Sequence, residues 1–478
     1  MNPHLPPRFM TRRDFLVRQA HGIGLIALSQ LLSGGAQAAP ASGGAAARGP
    51  RKPHHKPRAK NVIFMFMAGG PSHLDLFDPK PQMKQWDGQP PPKGMVDPTI
   101  MAGAVMASPR IFQPHGQSGV EVSDLLPHTG SVADELCVIR SMHTDSSNHD
   151  PAQLLFNCGT QLFGHPSMGA WVNYGLGSES QDMPGYVVLN SGKDVEARSA
   201  LAGNGFLPSR YRGVTVRSSG DPILYLKNPP GMSEATQRAR LDAIRDLNRL
   251  NLAATGDREI ASRIESYEMA FRMQAAAPGL LDLGNESAAT REMYGLDQKE
   301  TQAFGTNCLL ARRMIEHGVR VVQLFHSTWD DHNELDKNLR ANCLATDKPV
   351  AALIRDLKQR GLLEDTLIVW AGEFGRTPMA ENHFDVGSKS TAGKEGRDHH
   401  PFAFSAWMAG GGVKKGHVHG RTDDFGYHVV EDGVHVHDLH ATILHLLGLN
   451  HERLTYRHAG RDFRLTDVAG KVVQGIIA

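Results

Sequence analysis

Two short segments concentrate residue types that hold metal ions: Trp329-Asp330-Asp331-His332-Asn333 and Gly372-Glu373-Phe374-Gly375-Arg376. A divalent metal needs several oxygen and nitrogen donors in fixed geometry, which Asp, Glu and His supply. Asp330 and His332 alternate along what reads as an extended loop, so both can face one ion. The plainer readings are a helix cap for Asp330 and a solvated ring for His332. Glu373 follows an apolar run closely, where a buried carboxylate is costly unless paired or metal-bound. Arg376 stands nearby as a partner, so a salt bridge competes with ligation there.

A third segment, Arg397-Asp398-His399-His400-Pro401, offers two more ligand candidates. The proline restrains the backbone of the residue before it. One of His399 and His400 is expected at the site rather than both, with Asp398 able to orient it. Near the start, Gly69-Gly70-Pro71 permits a sharp turn into a stretch holding His73, Asp75 and Asp78. Asp75 is the preferred ligand there. The stretch His143-Thr144-Asp145-Ser146-Ser147-Asn148-His149-Asp150 precedes an apolar run that reads as a helix. Backbone N–H groups and the helix dipole at such a start would meet an anion. Ser146 or Ser147 is therefore the candidate nucleophile, with Asn148 or His149 as alternatives for the reactive position. Ser and Asp there are equally ordinary helix caps.

The elements that must position these residues can be read from the apolar runs. NVIFMFM (61–67), LCVIR (136–140), VRVVQLF (319–325) and TLIVW (366–370) each read as a strand that opens into one of these loops. Ligands of open α/β sheets bind beyond the carboxyl ends of the strands, so four such loops point to one shared site. Residues 232–254 and 258–274 carry apolar positions at helical spacing (Leu241, Ile244, Leu247, Leu250; Ile260, Ile264, Tyr267, Phe271), which predicts an amphipathic helical pair. Residues 287–317 and 334–359 also read as helices. Strands alternating with helices imply an α/β fold, with a central mostly parallel sheet between helices. The Gly- and Pro-rich stretch 184–231 reads as extended loops that wall the site, and 85–120 as a surface excursion. No histidine occurs between His165 and His317, whereas twelve fall from His383 to His458, so the middle of the chain reads as non-catalytic. His417 and His419 lie in a Gly-rich loop that could rim the site. In HVHDLHATILHLLGL (435–449), Asp438 can cap a helix that packs Leu439, Ile443, Leu446 and Leu447. His437, His440 and His445 then fall on or near its other side as structural or solvated residues, although His435 or His437 could reach the site.

The N-terminus reads as an export signal. Arg12-Arg13 with Phe15-Leu16 fits the twin-arginine pattern, an apolar run follows at 22–32, and Ala36-Gln37-Ala38 offers a cleavage site. Eleven apolar residues are too few to span a bilayer of ~30 Å, so no stable transmembrane anchor is expected. Residues 1–38 are thus the signal peptide, 39–60 a flexible basic linker in which His54 and His55 are solvated, and 61–478 the domain, with a helical insert around 232–317. Without the signal, 47 basic and 49 acidic residues remain, a balance that gives no reason to expect nucleic-acid binding. Cys137, Cys158, Cys308 and Cys343 lack Cys-x-x-Cys spacing, which argues against a structural zinc site and reads as buried free thiols.

Taken together, AGGPSHLDLFDPKP (68–81), SMHTDSSNHDPAQLLFNCGT (141–160), WDDHN, AGEFGRTP and VHDLHATILHLLGL resemble the exported bacterial family called domain of unknown function 1501, a branch of the sulfatase and alkaline phosphatase superfamily. The resemblance implies an alkaline-phosphatase-like fold with a metal site at the strand ends. It also implies a Ser, Thr or formylglycine nucleophile acting in phosphoryl or sulfuryl transfer. Asp330 and His332 match the superfamily's mid-chain ligand pair, Glu373 stands where an Asp-His pair is usual, and His399 or His400 would be the later histidine. Gly69 and Gly70 occupy the place of one or two metal-binding aspartates, and the Cys-x-Pro-x-Arg sulfatase signature is missing. The expectation is an exported hydrolase of phosphate or sulfate esters, acting on a small-molecule or glycan ester. Its ligands to a divalent ion (Zn, Ca, Mg or Mn) would come from Asp75, Asp330, His332, Glu373, His399 and His400. The alternative is a catalytically inactive binding or envelope-associated protein. The twin-arginine machinery would be its export partner.

Overall fold

Long runs of Val, Ile, Phe and Met suit strands buried on both faces, and they form the middle of a nine-stranded sheet. The structure, a computed structural model, describes residues 50–96, 103–192, 198–217, 223, 228, 230–381 and 395–478. The signal peptide and the linker through residue 49 lie outside them. In chain order the strands are β1 (Asn61–Met67), β2 (Leu136–His143), β3 (Tyr186–Ser191), β4 (Val214–Val216), β5 (Val321–His326), β6 (Thr366–Ala371), β7 (Phe404–Ala409), β8 (His417–His419) and β9 (Val434–His435). Across the sheet the order is β8-β2-β7-β6-β1-β5-β3-β4, with β9 also beside β2. All pairings are parallel except the two made by β7. β1, β2, β5 and β6 therefore end at one edge, and β7 begins there.

The principal helices are α1 (His149–Cys158), α2 (Met168–Leu176), α3 (Glu234–Thr255), α4 (Arg258–Leu281), α5 (Gln302–Glu316), α6 (Leu335–Gln359) and α7 (Val436–Leu446). Alternate residues of β1 serve opposite layers, as the two-residue period of a strand requires. Val62, Phe64 and Phe66 pack with Leu154 and Phe156 of α1, Trp171 of α2 and Leu439 of α7. Ile63, Met65 and Met67 pack with Leu309 and Met314 of α5 and Leu353 of α6. The architecture is the expected α/β one: a mostly parallel sheet between helices.

The stretch 184–231 is not all loop, since it contributes β3 and β4 to the sheet. Gly and Pro on either side hide these short runs, whose Val187, Val188, Val214 and Val216 supply strand character. The helical pair forms as α3 and α4, but Leu247 and Leu250 of its stripe are 67% and 70% exposed, while Leu241 and Ile260 are buried. Periodicity identified the helices without showing how far the body reaches along them. The end of the linker is pinned rather than free: His54 N–H donates to Gly448 O, and His55 Nε2 lies 3.0 Å from His445 O. Residues 103–110 also fold back on the body, with Val105 buried and bridged to Met379. All four cysteines are buried free thiols, as expected. No helix among the described residues is long and apolar enough to cross a membrane.

Candidate metal centre

The loops at the shared sheet edge deliver their side chains by local alternation. After β5, Trp329 and Asp331 are buried, whereas Asp330 and His332 emerge from the body. Trp329 packs edge-on against Trp370 of β6 and so fixes the loop between these two outward residues. His399, in a two-residue strand paired antiparallel with Gly375–Arg376, arrives just before β7. His149 is the first residue of α1.

These four side chains converge. One donor atom from each of His149, Asp330, His332 and His399 lies within 4.8 Å of all the others. Asp330 Oδ1 is 2.9 Å from His332 Nε2 and 3.1 Å from His399 Nε2, and Oδ2 is 3.2 Å from His149 Nε2. The His332 and His399 Nε2 atoms are 3.0 Å apart. In every ring the opposite nitrogen is spoken for. His149 Nδ1 bonds Glu373 Oε1 at 2.7 Å, His332 Nδ1 bonds Glu381, and His399 Nδ1 bonds the Ser147 carbonyl at 2.7 Å. A carbonyl or carboxylate can only accept, so each neutral ring carries its proton on Nδ1. Three Nε2 lone pairs then face one carboxylate, an arrangement that could hold a cation among them. His149 Nε2 is buried and outside hydrogen-bond geometry with any partner despite its approach to Asp330.

Protons supply positive charge there only in part: Asp330 raises the pKa of His332 above its ordinary value, whereas burial lowers that of His399. Burial lowers the affinity of His149 for a proton, but Asp330 and Glu373 outweigh it and raise its pKa to about 9. Burial acts to raise the pKa of Asp330, yet its three histidines and Arg376 hold it well below the ordinary carboxylate value.

Glu373 stands behind the cluster rather than in it. Its fully buried carboxylate accepts from His149, from Gln153 Nε2 at 3.0 Å and from Gly69 N–H at 3.0 Å. Arg376 is not its partner: the guanidinium donates to Asp330 Oδ1 at 2.6 Å and to carbonyls of Gly69, Gly70, Trp329 and Arg397. It ties three of the site loops to one another. Gly69 has φ +120°, and a Cβ there would lie 2.5 Å from Asp330 N.

Other candidates lie outside this group of donors. Asp75 is buried against Arg397 (Nε 3.0 Å) and accepts from Ser72 and Ser108. Burial acts to raise its pKa, but Arg397 and the serines hold it below normal. Asp78 pairs with Lys80 and accepts from Thr422, and His73 bonds Gly426 O. His400 is buried with Nε2 on Tyr427 O, and burial drives its pKa down to about 3. Of the two neighbours, only His399 is in the cluster. Ser146 Oγ donates to Asn148 O, and Ser147 enters through its carbonyl. His435 caps α7 and bonds Asp145, while His437 bonds Gly159 O. Asp438 is the reciprocal partner in that capping box rather than the cap. His440 is buried on Phe156 O, not on an open side of the helix. The sequence reading missed Glu381 and Gln153. Gln153 shares α1 with His149, four residues on and therefore on the same face, which was a usable signal; Glu381 had none.

Comparison with solved structures returns distant similarities. A sulfatase, PsFucS1, from Pseudoalteromonas sp. is 15% identical, with 83% of this chain and 69% of that one covered and a TM-score of 0.36. The lipoteichoic acid synthase LtaP from Listeria monocytogenes is 11% identical (87% and 76% covered, TM-score 0.34). The alkaline phosphatase from the Antarctic bacterium TAB5 is 9% identical (81% and 98% covered, TM-score 0.32). No curated protein sequence matches the chain. Residues 59–477 match the family described as protein of unknown function (DUF1501), and the chain belongs to that family.

Proposed function

We propose that this protein is an exported metal-dependent hydrolase of phosphate or sulfate esters, holding one divalent ion through His149, Asp330, His332 and His399. The observation that carries this reading is the convergence of three Nε2 lone pairs on one carboxylate, each ring locked from behind. Three imidazoles and one carboxylate suit zinc or a similar transition ion, whereas calcium and magnesium prefer all-oxygen sets. Such an ion supplies Lewis acidity, polarising an ester oxygen and lowering the pKa of a hydroxyl or water. The chain's own part is to hold the rings in register: Glu373 and Glu381 orient His149 and His332, and Arg376 balances the charge of Asp330. Ser147 is the remaining side-chain nucleophile candidate, exposed on the loop whose carbonyl holds His399.

The second reading is a metal-holding protein without esterase activity. It is favoured by one observation: Ser146 Oγ donates to Asn148 O, and Ser147 meets His399 through its carbonyl rather than its hydroxyl. Metal analysis of the purified chain, beside His399→Ala and a panel of phosphate and sulfate esters, tests both. About one transition ion per chain, lost in the variant, with turnover lost alongside, supports the hydrolase. Metal without turnover supports the second reading. A metal-free wild type purified with zinc present would overturn both.

A further inference from the structure

Between β5 and the paired ligands Asp330 and His332 lies a strained residue. Thr328 has φ +93°, a region that β-branched side chains rarely enter and leave readily unless held. It is held from one side chain. Asn342 of α6 donates through Nδ2 to Thr328 O at 2.7 Å, and its Oδ1 accepts from Thr328 Oγ1 at 2.7 Å. Asn342 is itself buried, its carbonyl accepting from Thr346 Oγ1. The next residue, Trp329, is fixed in the core, and its N–H reaches Ala68 O. The turn at Thr328 therefore sets the backbone plane from which Asp330 and then His332 leave the body. An ordinary φ at 328 would swing both away from His149 and His399.

We infer that Asn342 and Thr328 form a clamp that positions Asp330 and His332 for the metal, with Asn342 acting on the site from α6 without touching the ion. The inference rests on the metal reading above. It explains why a buried amide on the helix face spends both ends on one exposed loop residue, and why a strained backbone sits beside the cluster.

The test is cobalt(II) titration of the full chain, read by visible absorption and by melting temperature. Asn342→Ala is expected to weaken cobalt binding by about 10- to 100-fold, the usual cost of losing a group that orients a ligand, and to alter the absorption band. Asn342→Asp keeps the acceptor for Thr328 Oγ1 but loses the donor, so an intermediate loss is expected. Glycine adopts the left-handed backbone without steric cost. Asn342→Ala combined with Thr328→Gly should therefore recover most of the lost affinity, which a general loss of packing would not do. A lower melting temperature in Asn342→Ala with cobalt affinity unchanged would overturn the clamp, as would a double variant no tighter than the single. Wild-type protein that binds no cobalt would instead overturn the metal reading.

Discussion

Each histidine of the cluster spends Nδ1 on a fixed acceptor, and the acceptors differ in kind: a buried carboxylate for His149, a part-buried carboxylate for His332 and a carbonyl for His399. The strongest constraint is on His149, because Glu373 is itself held by the Gly69 N–H and Gln153. A carboxylate behind an imidazole fixes its tautomer and raises its basicity as a ligand. Glu373→Gln keeps the shape and removes the charge, so it should weaken zinc binding by about 10- to 100-fold. Competition with a chromophoric chelator measures this, and an unchanged affinity would mean that Glu373 only fills space. Gly69 leaves no room for a side chain at this place. Its N–H is committed to Glu373, and a side chain would run into the backbone of Asp330.

At the scale of elements, β7 is the informative strand. Running opposite to its neighbours β6 and β2, it brings its start, and with it His399, to the edge where the parallel strands end. A fully parallel sheet would have sent that histidine to the other side. Helix α7 shows why histidine density is a poor guide to chemistry: its capping box and the buried His440 serve the fold. Burial drives the pKa of His440 down to about 3 and that of His326 to about 4. Both values lie below that of the unfolded chain, so neither ring affects stability while both states are neutral, above about pH 6.5. As pH falls through the window from about 6.5 to 4, the unfolded chain binds protons that the folded chain refuses. Stability should therefore drop there, by at most about 1.4 kcal/mol per pH unit for each ring. Urea unfolding of the metal-loaded protein at pH 7 and pH 5 measures the slope. His440→Gln should flatten it, and an equal slope in that variant would show that His440 is not the source.

For the molecule as a whole, the metal reading and the export reading are linked by the route. A twin-arginine signal carries proteins across already folded, so a site built from five loops could be assembled and loaded before export. Arg12→Lys with Arg13→Lys should leave the precursor in the cytoplasm, as fractionation with an antibody to the mature chain would show. Mature protein still found outside the cytoplasm would refute that route. The legible part of the molecule followed from local physics. Apolar runs, broken in β5 by Gln323, marked β1, β2, β5 and β6 because buried parallel strands allow little else, and polar residues right after them marked the loops. The short strands β3 and β4 were lost among Gly and Pro. The exposed tip of the α3–α4 pair was invisible because periodicity does not report what stands opposite a stripe.

The sequence by itself marked four of the nine strands, most of the long helices, the candidate pair Asp330 and His332 and the edge at which a site would form, since each is encoded within a few neighbouring residues. Only the tertiary structure decided which side chains meet: His149 with them and Glu373 behind it, His399 rather than His400, and Asp75 turned aside to Arg397. Those choices depend on where a ring nitrogen points after five separate loops have met, and on which partner is waiting behind it. No spacing along the chain carries that information.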